Sequence, residues 1–150
     1  MILPDVDVLV YAFRRESVRH KAYADWLAGL VAGADELALN DQVLGAFVRI
    51  VTNRRIYADP APAATALAFV DALRAARRAR WLPAGGAAWE RLGSLVAADR
   101  QIAGNLMPDA VLAAVALAHG CRLATADRGF ARFPALRFFD PAFGGPRDDL

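Results

Sequence analysis

Two aspartates stand where apolar runs end, and two more stand where apolar helical stretches begin. Asp5 directly follows the run MILP, and Asp7 lies two positions on. Asp127 closes the segment LATAD, and Asp109 falls in the first turn of what reads as a long apolar helix. In open α/β sheets, ligands bind beyond the carboxyl ends of the strands. Acids placed there converge, and converging carboxylates repel one another unless a cation bridges them. Oxygen-only ligands suit Mg²⁺ or Mn²⁺ rather than zinc. Such an ion activates water and stabilises charge on a phosphate in transfer. Asp5, Asp109 and Asp127 are therefore the candidate metal-binding and catalytic residues. Each has a structural alternative: Asp5 as a strand end, Asp7 as a cap on the next helical turn, Asp109 as an N-terminal helix acid favourable to the dipole, and Asp127 as a turn residue.

Other polar residues divide in the same way. The Thr125 hydroxyl either helps hold metal-bound water or is satisfied locally at a strand end. Asn105 either donates to a phosphate or caps a helix. His20 and His119 read as structural, which leaves no histidine as a general base. Trp26, Trp81 and Trp89 read as core rather than as base-stacking platforms. Arg49, Arg54 and Arg55 follow one helix, and Arg74, Arg77, Arg78 and Arg80 follow another. Runs of this kind are either solvated faces or sequence-blind contacts to a phosphate backbone. Arg14, Arg15 and Arg19, just beyond Asp5, are the first choice for substrate contact.

The elements that must position these groups alternate along the chain. Residues 1–4 read as a strand, 8–13 as a helical turn, and 17–32 as a helix capped by Ser17, with Tyr23, Trp26, Leu27 and Leu30 at helical spacing. Residues 36–39 form a second strand. Asn40 or Asp41 caps a helix whose stripe is Val43, Leu44, Phe47, Ile50 and Val51. Further helices are expected over 64–78, 89–98 and 106–119, the last ended by Gly120. Strands are expected at 80–82, 122–125 and 136–139. This alternation predicts a parallel sheet with helices on both faces.

Composition bounds the rest. The 150 residues, 57% hydrophobic and 23% charged, suit one folded domain. A net charge of +2 does not by itself argue for nucleic acid, so any such binding rests on local clusters. Cys121 is the only cysteine, which excludes an internal disulfide and a cysteine-based zinc site and fits a reducing cytoplasm. The N-terminus is not a signal peptide, because Asp5 and Asp7 interrupt its apolar run. No stretch reaches the roughly 18 apolar residues of a membrane span.

Taken in order, the motifs resemble those of PIN-domain ribonucleases of the VapC toxin type. Asp5-Val-Asp7-Val-Leu-Val-Tyr-Ala resembles the opening motif of PIN domains. Gly104-Asn-Leu-Met-Pro-Asp109-Ala is similar to their central acidic motif, and Thr125-Ala-Asp127-Arg-Gly-Phe130 to their late one. Phe47-Val-Arg-Ile-Val-Thr-Asn53 resembles a segment of mycobacterial-type VapC toxins. The likeness runs from about Met1 to Pro141. It implies a PIN-like α/β fold over residues 1–141, with a five-stranded parallel sheet and a flexible tail over 142–150. It also implies a divalent metal, cleavage of single-stranded RNA, a homodimer and a VapB-like antitoxin.

Three positions depart from the family pattern. Asp7 stands where Asn or Ser is usual, Gly129 replaces a second late acid, and Ala46 occupies the place of the usual helical acid. Gln42, four residues before Ala46, shares its helix face. Either Asp7 restores the missing charge, or Gln42 positions a water, or metal binding is weaker. A degenerate domain that binds RNA or a partner without cleavage is one alternative. Asp5-Val-Asp7 also resembles the nucleophile motif of haloacid-dehalogenase-like phosphatases. That chemistry wants a late lysine, whereas the only lysine here is Lys21.

Overall fold

The computed structural model describes residues 1–144. Five short strands form one parallel sheet in the order β3-β2-β1-β4-β5. They are β1 (Ile2–Pro4), β2 (Leu37–Leu39), β3 (Ala79–Trp81), β4 (Arg122–Ala124) and β5 (Phe138–Phe139). β1 lies at the centre, with Ile2 opposite Leu37 on one side and Leu3 opposite Leu123 on the other. β1, β2 and most of β4 are buried, so they read in sequence as continuous apolar runs.

Six helices connect the strands: α1 (Val6–Phe13), α2 (His20–Ala32), α3 (Asp41–Val51), α4 (Ala63–Arg74), α5 (Gly85–Ala98) and α6 (Met107–His119). The first four pack as α1 on α2, α1 on α3, and α3 on α4, while α5 and α6 pack on each other. The chain moves outward from β1 to β3 and then returns past β1 to β4. Right-handed crossovers put the outward helices on one face of the sheet and the returning pair on the other. The two directions part between β1 and β4, which is the switch point where open α/β sheets form clefts.

The aromatic centre of the first layer is a trio. Phe47 lies 5.3 Å from Phe13 and 5.0 Å from Phe69, and Phe13 lies 5.2 Å from Phe69. Phe47 is fully buried. Phe47→Ala should destabilise the protein by about 3–5 kcal/mol. A thermal melt should show the midpoint falling by roughly 10 °C.

Several element boundaries differ from expectation for identifiable reasons. Asp5 rather than a later residue caps α1, so that helix begins at Val6. Ser17 does not cap α2. Its carbonyl accepts from the His20 N–H, the chain turns through Arg19 at φ 60°, and the helix starts at His20. α4 ends at Arg74, which frees Ala79 for β3. α5 begins at Gly85, four residues before Trp89. Gly120 ends α6 at φ 66°, as its position predicts. Of the 142–150 tail, residues 145–150 lie outside the described residues. Pro141–Phe143 form a single 3-10 turn capped by Asp140, and the Arg19 guanidinium lies 4.3 Å over the Phe143 ring.

Candidate active site

Asp5 enters the cleft because β1 pairs with β4. The Asp5 N–H donates to the Ala124 carbonyl at 2.8 Å, which brings the ends of the two strands side by side. The Asp5 carboxylate is buried. Its Oδ1 accepts from the Val6 N–H at 2.7 Å, and its Oδ2 accepts from the Thr125 hydroxyl at 2.8 Å. Asp7, one residue inside α1, reaches back across the same gap. Its Oδ2 accepts from the Ala126 N–H at 3.0 Å, with the Thr125 hydroxyl 3.5 Å away. Its Oδ1 is buried and has no hydrogen-bond partner.

Thr125 joins both motifs. Its hydroxyl donates to Asp5 and accepts from the Asp127 N–H at 3.0 Å. The expected local satisfaction is therefore present through the Asp127 N–H, and the hydroxyl's one proton goes to Asp5. Thr125→Val removes the donor to Asp5 and strands the Asp127 N–H, each a loss of about 1–3 kcal/mol where the group stays buried. A denaturant melt should show that cost, and the Asp5 carboxyl should titrate higher still by NMR.

Asp127 is exposed, and its Oδ1 accepts from the Gly129 N–H at 2.7 Å, so it does serve as a turn cap. A Cβ added at Gly129 would come within 2.9 Å of that oxygen, which explains glycine at this position. Asp109 lies in the first turn of α6. Gln42 ties α3 to that turn by donating to the Pro108 carbonyl at 3.2 Å. This uses its amide as a strut between helices and places α3 beside Asp109.

Electrostatics bind the four acids into one site. Burial pushes the Asp5 carboxyl above the usual carboxylate range, and the Asp127 charge adds to this, against the hydrogen bonds from Thr125 and Val6. Burial and then the Asp5 charge push Asp7 up to about 7. Asp109 is raised by burial, then by Asp5 and Asp127. Among the described residues none of the four is ion-paired. Their arrangement is an anionic pocket with oxygen donors only, and with one buried carboxylate oxygen unclaimed at Asp7. That donor set and that deficit of positive charge fit a divalent cation. Among the described residues no three acidic, histidine or cysteine side chains stand close enough to bind one ion together.

Other expected residues are engaged elsewhere. Arg14 is held by Glu16, by the Asp59 carbonyl through two N–H groups at 3.0 Å, and by the Tyr57 ring at 4.0 Å. It is therefore a clamp on the loop after α3 rather than a free substrate contact. Asn105 is exposed in a 3-10 turn and caps nothing. The His20 Nδ1 lies 2.8 Å from the Tyr11 carbonyl, and the His119 Nε2 lies 3.1 Å from that of Pro83, both structural contacts. Trp81 and Trp89 are exposed, contrary to the expectation of core positions, and only Trp26 packs inward, against Phe139. Arg74, Arg78 and Arg80 are spent partly on ion pairs with Asp71 and Glu36. Sequence reasoning missed Tyr11, although its spacing of four from Asp7 places it on the same helix face.

This fold and this acidic switch-point cleft define an α/β nuclease-like domain. The PIN-domain family model matches residues 2–136, and the chain belongs to that family. It is 42% identical to the ribonuclease VapC43 of Mycobacterium tuberculosis over 96% of this chain and 97% of that protein. It is 37% identical to the ribonuclease VapC31 of the same species over 94% of this chain and 99% of that one. The structure also superimposes on a chain of VapBC2 from Rickettsia felis with a TM-score of 0.67 at 19% identity, covering 93% of this chain and 98% of that one. Membership carries dependence on a divalent metal in general. It also removes the phosphatase reading of Asp5 and Asp7.

Proposed function

We propose that the protein is a Mg²⁺- or Mn²⁺-dependent endoribonuclease of the VapC toxin type. The carrying observation is that Asp5, Asp7, Asp109 and Asp127 all face the switch point, act on one another electrostatically and, among the described residues, have no ion-paired basic side chain. The similarity to VapC ribonucleases across almost the whole chain supports the same activity. Asp5, Asp109 and Asp127 hold the metal and are the catalytic residues. A bound divalent ion supplies a Lewis acid and a water of lowered pKa.

The protein's own groups do the positioning. The Thr125 hydroxyl and the Val6 N–H fix both oxygens of Asp5, so its carboxylate meets a ligand in one orientation. The Ala126 N–H fixes one oxygen of Asp7 and leaves the other facing the pocket's charge deficit. The Gly129 N–H holds one oxygen of Asp127, which would offer the other to a metal. With water attacking in line, the P–O3′ bond breaks, leaving a 5′-phosphate on one fragment and a 3′-hydroxyl on the other.

As a VapC-type toxin the protein works as a homodimer in the cytoplasm and is neutralised by a VapB-like antitoxin. A carboxylate-lined cleft favours a basic antitoxin side chain on charge grounds. No helix among the described residues is long and apolar enough to cross a membrane.

The test uses protein freed of antitoxin and a structured RNA with exposed loops. Mn²⁺ should support cutting, EDTA should abolish it, and the downstream fragments should carry 5′-phosphates. Cutting in EDTA, or 2′,3′-cyclic phosphate ends, would overturn the metal mechanism. Ala46, in place of the usual acid, favours a second reading in which the domain binds RNA without cleaving it. Binding without cutting in Mn²⁺ is its signature.

A further inference from the structure

The face of α1 that begins at Asp7 continues through Tyr11 to Arg14, the residue that caps the helix end. Asp7 lies in the cleft, Tyr11 follows at four residues and Arg14 at seven, so the three fall on one stripe. Helical side chains lean toward the N-terminus, which aims the Tyr11 ring at the cleft. Burial raises the Tyr11 phenol, and the nearby Asp7 charge adds to this. Its ring packs 5.2 Å from that of Tyr23, whose hydroxyl donates to Asp140 at 2.9 Å. The Tyr11 carbonyl is fixed by His20.

Arg14, three residues beyond Tyr11, in turn holds the ring of Tyr57, 4.0 Å from its guanidinium. The Arg14 side chain is only 13% exposed and is also spent on Glu16 and on the Asp59 carbonyl. The loop it clamps is pinned internally by Asn53, whose carbonyl accepts from the Ile56 and Tyr57 N–H groups at 3.0 Å. Tyr11 and Tyr57 are only half-buried, and among the described residues neither hydroxyl has a hydrogen-bond partner, unlike that of Tyr23. Arg54 and Arg55, three and two residues before Tyr57, are exposed and form no ion pair among the described residues.

We infer that Tyr11 and Tyr57 form a nucleobase-binding subsite at the edge of the acid cleft, which takes the unstacked base next to the cleaved phosphodiester. The inference rests on the ribonuclease reading above. Two fixed aromatic rings with free hydroxyls offer a stacking surface and a hydrogen bond to a base edge, the way single-stranded RNA is held. Arg54 and Arg55 supply the adjoining phosphate contacts. A duplex, whose bases are stacked and paired, cannot present a base there.

The probe is a single-stranded RNA library randomised at ten positions and cut in Mn²⁺, with the ends mapped by sequencing. The wild type should show a base preference at one nucleotide beside the cut. Tyr57→Leu and Tyr11→Leu should flatten that preference. On a short RNA carrying the preferred site they should raise KM about 5- to 100-fold, the range of a lost base stack, with kcat changed far less. Tyr57→Phe, which keeps the ring, should recover most of what Tyr57→Leu loses. An abasic nucleotide at the preferred position should weaken the wild type to the same degree and add nothing to the Tyr57→Leu loss, a result that altered packing would not produce. Tyr57 sits in a loop, so its variants test the subsite even where Tyr11→Leu loosens α1. Unchanged preference and KM in Tyr57→Leu, with the wild type cutting normally, overturn the subsite alone. A folded wild type that cuts no member of the library overturns the ribonuclease reading and the subsite with it.

Discussion

Asp5→Asn should abolish detectable RNA cleavage while leaving the protein folded. The substitution keeps the volume and the acceptor for the Thr125 hydroxyl, removes the charge, and replaces the oxygen that accepts from the Val6 N–H with an amide nitrogen. That charge is what an ion in the cleft needs, and electrostatic stabilisation of a transferring phosphate is worth several kcal/mol. Its loss corresponds to on the order of 10³-fold in rate or more. Stability without metal then balances two effects of that geometry: relief of the burial and the Asp127 repulsion that disfavour the ionised Asp5, against loss of the acceptor for the Val6 N–H. Asp109→Asn and Asp127→Asn should behave alike, although Asp127→Asn keeps the acceptor for the Gly129 N–H and so isolates charge from capping. The measurements are a cleavage time course in Mn²⁺ beside a thermal melt in EDTA. Near-normal cleavage by any of the three removes that residue from the site.

How much of this was legible in the sequence depends on whether a residue's role is set by its neighbours along the chain. Asp5 and Asp127 each end an apolar run, and parallel strands leave their cleft at that edge, so order and spacing alone placed them together. Gly120 was legible because a helix end requires the left-handed conformation that glycine adopts freely. Ser17 looked like a cap, but the turn through Arg19 displaced the helix start, and no local pattern announces such a turn. Trp81 and Trp89 show a different limit. Aromatic mass says that a side chain can be buried, whereas the edge position of β3 and the outer face of α5 decide that these two are not. Arg14 could not be assigned from sequence, because its partners, Asp59 and Tyr57, lie more than forty residues away. The double role of Thr125 likewise depends on a contact with Asp5 across 120 positions. Tyr11 was legible, through its spacing of four from Asp7, and was passed over because tyrosine carries no charge to draw attention.

Asp7→Asn should change the pH dependence of stability more than any other single substitution. In the metal-free protein, burial and the Asp5 charge push the Asp7 carboxyl to about 7, against an ordinary value of 3.8. The folded state therefore holds its proton more tightly than the unfolded chain does. Between about pH 4 and pH 7 the folded protein binds more protons, so stability falls as pH rises through that window and levels off above it. Three pH units of difference correspond to at most roughly 4 kcal/mol. The wild-type melting temperature in EDTA should thus be higher at pH 5 than at pH 8, by roughly 10 °C at most. Asp7→Asn should flatten the curve and exceed the wild type at pH 8. Mn²⁺ should reverse that order at pH 8 by compensating a charge that only the wild type carries. The expectation that Asp7 merely caps a helical turn fares poorly here, because Asp5 occupies the cap and Asp7 Oδ2 faces the Ala126 N–H across the cleft. If Asp7 stands in for the helical acid absent at Ala46, Ala46→Glu in the Asp7→Asn background should restore part of the metal-induced stabilisation and part of the cleavage. Ala46 lies one turn beyond Gln42, which already touches the start of α6 beside Asp109, so a glutamate there enters from the α3 side. An Asp7→Asn protein with a wild-type pH profile and an unaltered Mn²⁺ titration would leave the site to Asp5, Asp109 and Asp127 alone.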